Sequence, residues 1–276
     1  MAFLHGYNTA LSSPEPTRLV VALDALPSER RGYGFEGAAM AVQLLDTLIP
    51  WRRGRFAELL AGAGSRHVYM MHVGAGWAMA RLRSQLRPVM ERCDPLLRWL
   101  VIDGYGFHEG YFHPARPTAG RERVRVLGDA AGCVFDQGLG RSLWFVHGAD
   151  VRVLPAAVAQ FDETRRADLW SGIGLACAYT GAACDANIKT LAAAVGSHRA
   201  HLAQGASFAA EARRLAGNET RSTDMACRLI CGASAQQAAA ITQDARSGLP
   251  NDGRPETYQA WRAAIRDLLA RERAVA

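Results

Sequence analysis

Between Asp103 and His113 the chain reads Asp-Gly-Tyr-Gly-Phe-His-Glu-Gly-Tyr-Phe-His. These eleven residues hold two carboxylates, two histidines, four aromatic rings and three glycines. A carboxyl group held among aromatic rings is shielded from water, so its proton affinity rises toward the range useful for general acid or base work. Asp103 and Glu109 are therefore candidate catalytic groups, and His108 is a candidate for contacting a substrate. Glu109 and His113 are four apart and share a face if the stretch is helical, as metal ligands do. The spacing is not the His-Glu-x-x-His of zinc peptidases, however, and no pattern supports a third ligand such as His72; were a metal found, His72, His108, Glu109 and His113 would be the ligands to test. The stretch reads as an irregular aromatic turn, and no metal and no cofactor is expected.

A second unusual stretch runs Phe135-Asp136-Gln137-Gly138-Leu139-Gly140-Arg141-Ser142-Leu143-Trp144-Phe145. Arg141 stands in apolar company, where an unpaired guanidinium is costly. Asp103, Asp136 or Glu109 can supply the partner. Arg141 is then either one half of an internal ion pair or an anchor for an anionic substrate group, and Asp136 joins the catalytic candidates.

The elements that must hold these groups show themselves as a repeat. A polar residue, a glycine and a small, apolar helical stretch recur at Glu36-Gly37, Val73-Gly74, Glu109-Gly110, Gln137-Gly138, Ser171-Gly172 and Gln204-Gly205, with spacings that suit one helical hairpin per copy. Glycine costs up to ~1 kcal/mol inside a helix, so six in register imply a shared packing need. Amphipathic segments such as Phe56–Leu60, Val153–Val158 and Ile188–Ala192 read as the partner helices. The residues before the glycines, mostly polar, begin otherwise apolar helices. They either cap those helices or form a ring at a cavity mouth. In the second case Glu36 is a further catalytic candidate, and His72, Trp77, Gln137 and Gln204 line the substrate site.

The fold expected is all-α. About six hairpins form one domain over residues 1–276, with an N-terminal extension at 1–31 and a capping helix at 256–276. Trp261, Ile265, Leu268 and Leu269 mark one face of the capping helix. Glycine helices that are apolar nearly all round should be buried on both sides, which favours a closed α/α toroid over an open α-solenoid. Arg121–Val126 is the one segment with strand-like alternation.

Composition removes several function classes. The net charge of +6 is dispersed, and no basic run interleaves with aromatics, so nucleic acid is not expected as a partner. Lys189 is the only lysine, a bias that GC-rich coding explains more simply than anion binding does. The six cysteines form no Cys-x-x-Cys pair and lie mostly among small apolar residues, as in a reducing cytoplasm. No signal-peptide pattern opens the chain, and no apolar run approaches the ~20 residues of a membrane span. A cytoplasmic protein is expected, with peripheral membrane association left open. Phosphate-loop, dinucleotide-binding and nucleophile-elbow motifs do not occur.

The strings Asp103–Phe112, Phe135–Phe145, Asp168–Tyr179, Tyr69–Trp77 and His201–Gly205 resemble the UnbL-like family. That is a bacterial family of unknown function from gene clusters for enediyne antibiotics and other specialised metabolites. The resemblance spans roughly Gly32 to Gly232 and carries no established catalytic residue. It implies a shared step on a polyene or polyketide product, with a membrane protein and a large repeat protein as partners. The expectation is an enzyme of natural-product biosynthesis, of cyclase, isomerase or lyase type. It would hold a long apolar small molecule in a central helical cavity and act on it by acid/base chemistry. A non-catalytic scaffold that assembles biosynthetic proteins at a membrane is the alternative.

Overall fold

The computed structural model describes residues 1–83, 86–115 and 120–275. The chain is 78% helical, with no strand among the described residues. The helices fall into consecutive pairs: α1 (Ala2–Ser12) with α2 (Pro16–Asp24), α3 (Arg31–Leu48) with α4 (Arg55–Ala61), α5 (Val68–Leu82) with α6 (Arg87–Met90), and α7 (Leu100–Phe112) with α8 (Arg121–Val124). Then come α9 (Asp129–Val146) with α10 (Leu154–Ala159), α11 (Glu163–Thr180) with α12 (Asp185–Ala194), α13 (Arg199–Leu215) with α14 (Arg221–Cys231), and α15 (Ala235–Asp244) with α16 (Pro255–Val275). Each odd-numbered helix packs along the next odd-numbered one, and the even-numbered helices up to α14 are short segments that return the chain.

Local chemistry sets the helix ends. Glu15 accepts hydrogen bonds from the N–H groups of Thr17 and Arg18, capping α2, whose first residue is Pro16. Buried Asp46, at the end of α3, accepts from the N–H groups of Gly54, Arg55 and Phe56 and so caps α4. Gly181 and Gly232 close α11 and α14 in the left-handed conformation.

The stack is indexed by glycine. A Cβ placed on Gly74 would strike the carbonyl oxygen of Glu36. The same clash joins Gly104 to Val73, Gly138 to Asp103, Gly172 to Gln137 and Gly205 to Ser171. Each first glycine thus abuts the residue just before the first glycine of the preceding helix. A second glycine two residues on abuts the following helix: Gly76 meets Val101, Gly106 meets Phe135, Gly140 meets Leu169 and Gly174 meets Leu202. Without side chains the backbones approach closely enough for Cα–H groups to face carbonyls.

This register corrects the third copy. The glycine equivalent to the others is Gly104, and the residue before it is Asp103, not Glu109. Gly110 meets the side chains of Ser142 and Leu139 instead. The stretch Asp103–Phe112 is not a turn but most of α7, because its glycines lie against α5 on one side and α9 on the other. Helix α1, placed above in an extension, makes the same contacts: Gly37 meets Phe3, and Gly6 meets Gly34. The alternating segment Arg121–Val126 forms α8 and a 3-10 turn, with Val124 buried.

Distant parts of the stack also touch. Arg213 at the end of α13 donates to the carbonyls of Glu29 (3.1 Å) and Tyr179 (2.6 Å), and Asn218 donates to that of Ser28 (2.9 Å). Tyr33 meets Tyr179 edge-on at 5.4 Å. Helix α16 turns back over α13, α15 and α9, and Trp261, Ile265 and Leu269 are buried as its sequence pattern implies.

Candidate functional site

The polar residues singled out from the sequence divide among four places. The first is a buried chain of hydrogen bonds and charges across the odd-numbered helices. Arg141 on α9 pairs with Asp103 on α7, and its other nitrogen lies 3.9 Å from Glu36 on α3. Gln137 donates to Asp103 at 2.7 Å. Ser171 donates to Gln204 at 2.8 Å and reaches Gln137 at 3.4 Å. Arg262 of α16 closes the chain, donating to Gln204 at 3.1 Å and pairing with Asp168 at 2.7 Å. Asp103, Gln137, Gln204 and Arg262 are fully buried, and Glu36 and Arg141 nearly so. Two carboxylates thus share one arginine. Burial pushes the Glu36 carboxyl up to about 7, against the pull of Arg141. None of these residues lines either cleft described below.

Asp136 stands apart from that chain, although it neighbours Gln137 in sequence. It accepts from Arg165 Nη2 on one oxygen at 2.5 Å, from Arg165 Nε on both oxygens at 3.1 Å, and from Arg121 Nε at 3.1 Å. Burial raises its proton affinity, and the Arg165 hydrogen bonds oppose the rise. A carboxylate held by two guanidinium groups has little capacity left for a substrate.

His72 lies in a third place. It is fully buried, its Nδ1 is 2.6 Å from the Val68 carbonyl, and burial depresses its basicity. It lines a cleft of about 600 Å³ with Tyr69, Asp94, Glu211, Arg246 and Trp261.

The fourth place joins Trp77, His108 and Glu109. A cleft of about 470 Å³ opens between α1, α3, α5 and α7, lined by Phe3, Leu4, Tyr7, Met40, Trp77, Arg81, His108, Phe112 and His113. Its centre is aromatic: Trp77 stacks with Phe107 at 5.0 Å, meets Phe3 at 4.8 Å and stands edge-on to His108 at 5.9 Å and to Phe112 at 5.7 Å. The Trp77 indole N–H is buried without a hydrogen-bond partner. His108 Nδ1 lies 3.3 Å from Glu109 Oε1. Ligand atoms of His108, Glu109 and His113 all lie within 4.8 Å of one another, the one such group found among the described residues. Glu109 and Arg141 are therefore not partners. Glu109 stands beside His108, which lines this cleft, and Arg141 belongs to the buried chain.

A family model described as a protein of unknown function, DUF1702, matches residues 1–269. The chain belongs to the DUF1702 family. No curated protein and no solved structure matches it. The DUF1702 match takes in every stacked helix, from α1 to α15, and all four places described above.

Sequence reasoning missed several groups of this DUF1702 chain. Arg81 at the cleft mouth is four residues beyond Trp77, one helical turn along the same face, a spacing that could have signalled it. Phe3, Tyr7 and Met40 join the cleft only because α1 and α3 lie beside α5, which no local pattern reveals. Arg165, Arg121 and Arg262, the partners of Asp136 and Asp168, carried no signal beyond their charge.

Proposed function

We propose that the protein binds a long apolar, polyene-like small molecule in the Trp77 cleft, and that His108 and Glu109 act on it as an acid/base pair. The observation that carries this reading is the cleft itself. It has apolar and aromatic walls, a size within the roughly 300–1,000 Å³ of small-molecule sites, and at one end an imidazole, His108, whose Nδ1 faces the Glu109 carboxylate beside the cleft. An ionised Glu109 can only accept, so it favours the proton on His108 Nδ1 and leaves the Nε2 lone pair as the base. Trp77 and Phe112 around the imidazole keep water from competing for a reactive intermediate. Arg81 makes no ion pair among the described residues and is suited to an anionic end group.

The stack is best read as closed on itself, as a toroid would be, which the contacts of Arg213, Asn218 and Tyr179 with residues 28–33 favour. The buried Glu36–Arg262 chain and α16 then fill the centre, so a ligand is taken at the rim rather than in a central cavity. Synthesis of a polyene or polyketide natural product is the setting that the UnbL-like resemblance implies. A cytoplasmic site is consistent with six free thiols and with helices too short or too polar to cross a membrane among the described residues.

The test uses a conjugated tetraene fatty acid, whose absorption overlaps tryptophan emission. Saturable energy transfer from the protein to one equivalent of the tetraene is expected, and Trp77→Phe or Phe112→Arg should reduce it strongly. Transfer unchanged by both substitutions would reject the cleft. Glu109→Gln, in a host that makes the product, should abolish the product while leaving tetraene binding intact.

A second reading has its own support. Tyr111, Phe112, Phe145 and Val146 are exposed together near the ends of α7 and α9. Such a surface suits a scaffold that docks a repeat protein or a membrane. Binding to lipid vesicles that Phe145→Ser abolishes, with no tetraene binding, would favour it.

A further inference from the structure

We propose that His108, Glu109 and His113 form a site for one divalent first-row transition ion, zinc being the best fit. Two imidazoles and a carboxylate are a donor set shared by three-ligand zinc sites and by open iron sites, and no thiolate contributes. A tetrahedral ion at about 2.0–2.1 Å from each donor needs them roughly 3.3 Å apart. His108 Nδ1 and Glu109 Oε1 are already 3.3 Å apart. The third donor must close from within 4.8 Å.

That donor is free to close. His108 is buried and Glu109 half-buried in the body of α7, whereas His113 is exposed and has left the helix, with φ −128° and ψ 53°. His113 lies past the last residue of α7, and its ring stands within 6.2 Å of the His108 ring, an approach that the His-Glu-x-x-His motif does not describe. Phe112, at 4.8 Å, and Trp77 fix the orientation of the His108 ring, as the surroundings of metal ligands commonly do. The fourth position would face the cleft that Trp77 and Phe112 line. Arg81, the one arginine lining the cleft, is the electrostatic opposition to a bound cation.

The ion reverses the tautomer argued above. Coordination takes the Nδ1 lone pair of His108 and leaves the proton on Nε2. The site therefore deepens the cleft reading, with the ion rather than the free imidazole at the reacting end, but metal binding itself does not depend on an organic ligand.

The experiment uses full-length protein without an affinity tag, stripped with chelator. Zn²⁺ is titrated by calorimetry and Co²⁺ by visible absorption. We expect one equivalent of either ion and an intense Co²⁺ spectrum typical of four-coordination. His108→Ala and His113→Ala should each weaken binding at least tenfold. His113 is exposed, so its variant tests the site even if His108→Ala fails to fold. The double variant His198→Ala/His201→Ala, which removes the other close histidine pair, should bind as wild type. Absence of binding overturns the proposal, as does binding that survives His113→Ala or is lost with the His198/His201 variant. Tetraene binding measured in chelator separates the two readings: either can fail while the other stands.

Discussion

Replacing Glu36 by glutamine should make the protein more stable in mildly alkaline solution and alter it little in mild acid. Glu36 is buried beside an arginine that Asp103 already engages, and burial lifts its carboxyl from 4.5 to about 7. The folded chain therefore holds a proton that the unfolded chain has released. That contribution to stability is complete below about 4.5 and disappears as the pH rises through about 7. The displacement corresponds to roughly 3 kcal/mol between the two protonation states. Glutamine keeps the shape, can still place its oxygen toward Arg141, and does not ionise. Urea unfolding followed by far-ultraviolet circular dichroism, between about pH 5 and about pH 8, should show the stability difference between variant and wild type growing with pH. It should approach roughly 3 kcal/mol in favour of the variant. His67 and His201, which burial holds at about 4, lose stability in the opposite direction, as the pH falls from 6.5. They are common to both proteins and cancel in the difference. Two parallel stability curves would refute the reasoning, because Glu36 would then ionise alike in the folded and unfolded states.

Three further outcomes follow from particular contacts. Gly138→Ala should cost ~1–3 kcal/mol or more, since its Cβ would meet the backbone of Asp103 and Phe107. Gly132→Ala in the same helix meets only the flexible Arg121 side chain and should be neutral or gain up to ~1 kcal/mol; comparable melting temperatures for the two would count against the register. Asp136→Asn leaves Arg165 buried without a charge partner and should lower stability by ~3–5 kcal/mol in urea unfolding; a loss below ~1 kcal/mol would show that the pair is not desolvated. His67→Phe keeps the stacking on Phe35 at 4.2 Å and removes a depressed imidazole. It should flatten the loss of stability in acid, and an unchanged acid limb would exclude His67 as its source.

The repeat was legible in the sequence because its cause is local and severe: a helix that must touch a carbonyl has no room for Cβ. The third copy was displaced by six residues because Glu109-Gly110 imitates the polar-glycine pattern. The paired glycines Gly104 and Gly106, matching Gly74 and Gly76 or Gly138 and Gly140, are the better marker. Helix α1 escaped notice because Leu4 occupies the position of the first glycine and only Gly6 remains. Glu109 and His113 were visible as chemistry-bearing residues. Their meeting with His108 was not, since it depends on how the chain leaves α7. The cleft was illegible for a different reason: four helices contribute to its walls, and only their stacking order brings Phe3 beside Trp77.

Two fixed contacts at each of five interfaces, α1–α3 and those from α5 to α13, leave these stacked helices unable to slide or rotate past one another, and this gives their residues an address. Counting from the first glycine, the third residue onward is Met40, Trp77, Phe107, Arg141, Leu175 and Phe208 in successive helices. Trp77 on Phe107, and Arg141 over Phe107 at 4.9 Å, are neighbours in that single column. The molecule can therefore be edited like a grid. A column can change its chemistry cell by cell while the glycines hold the spacing. Divergence within such a grid alters the walls of a site long before it alters the frame.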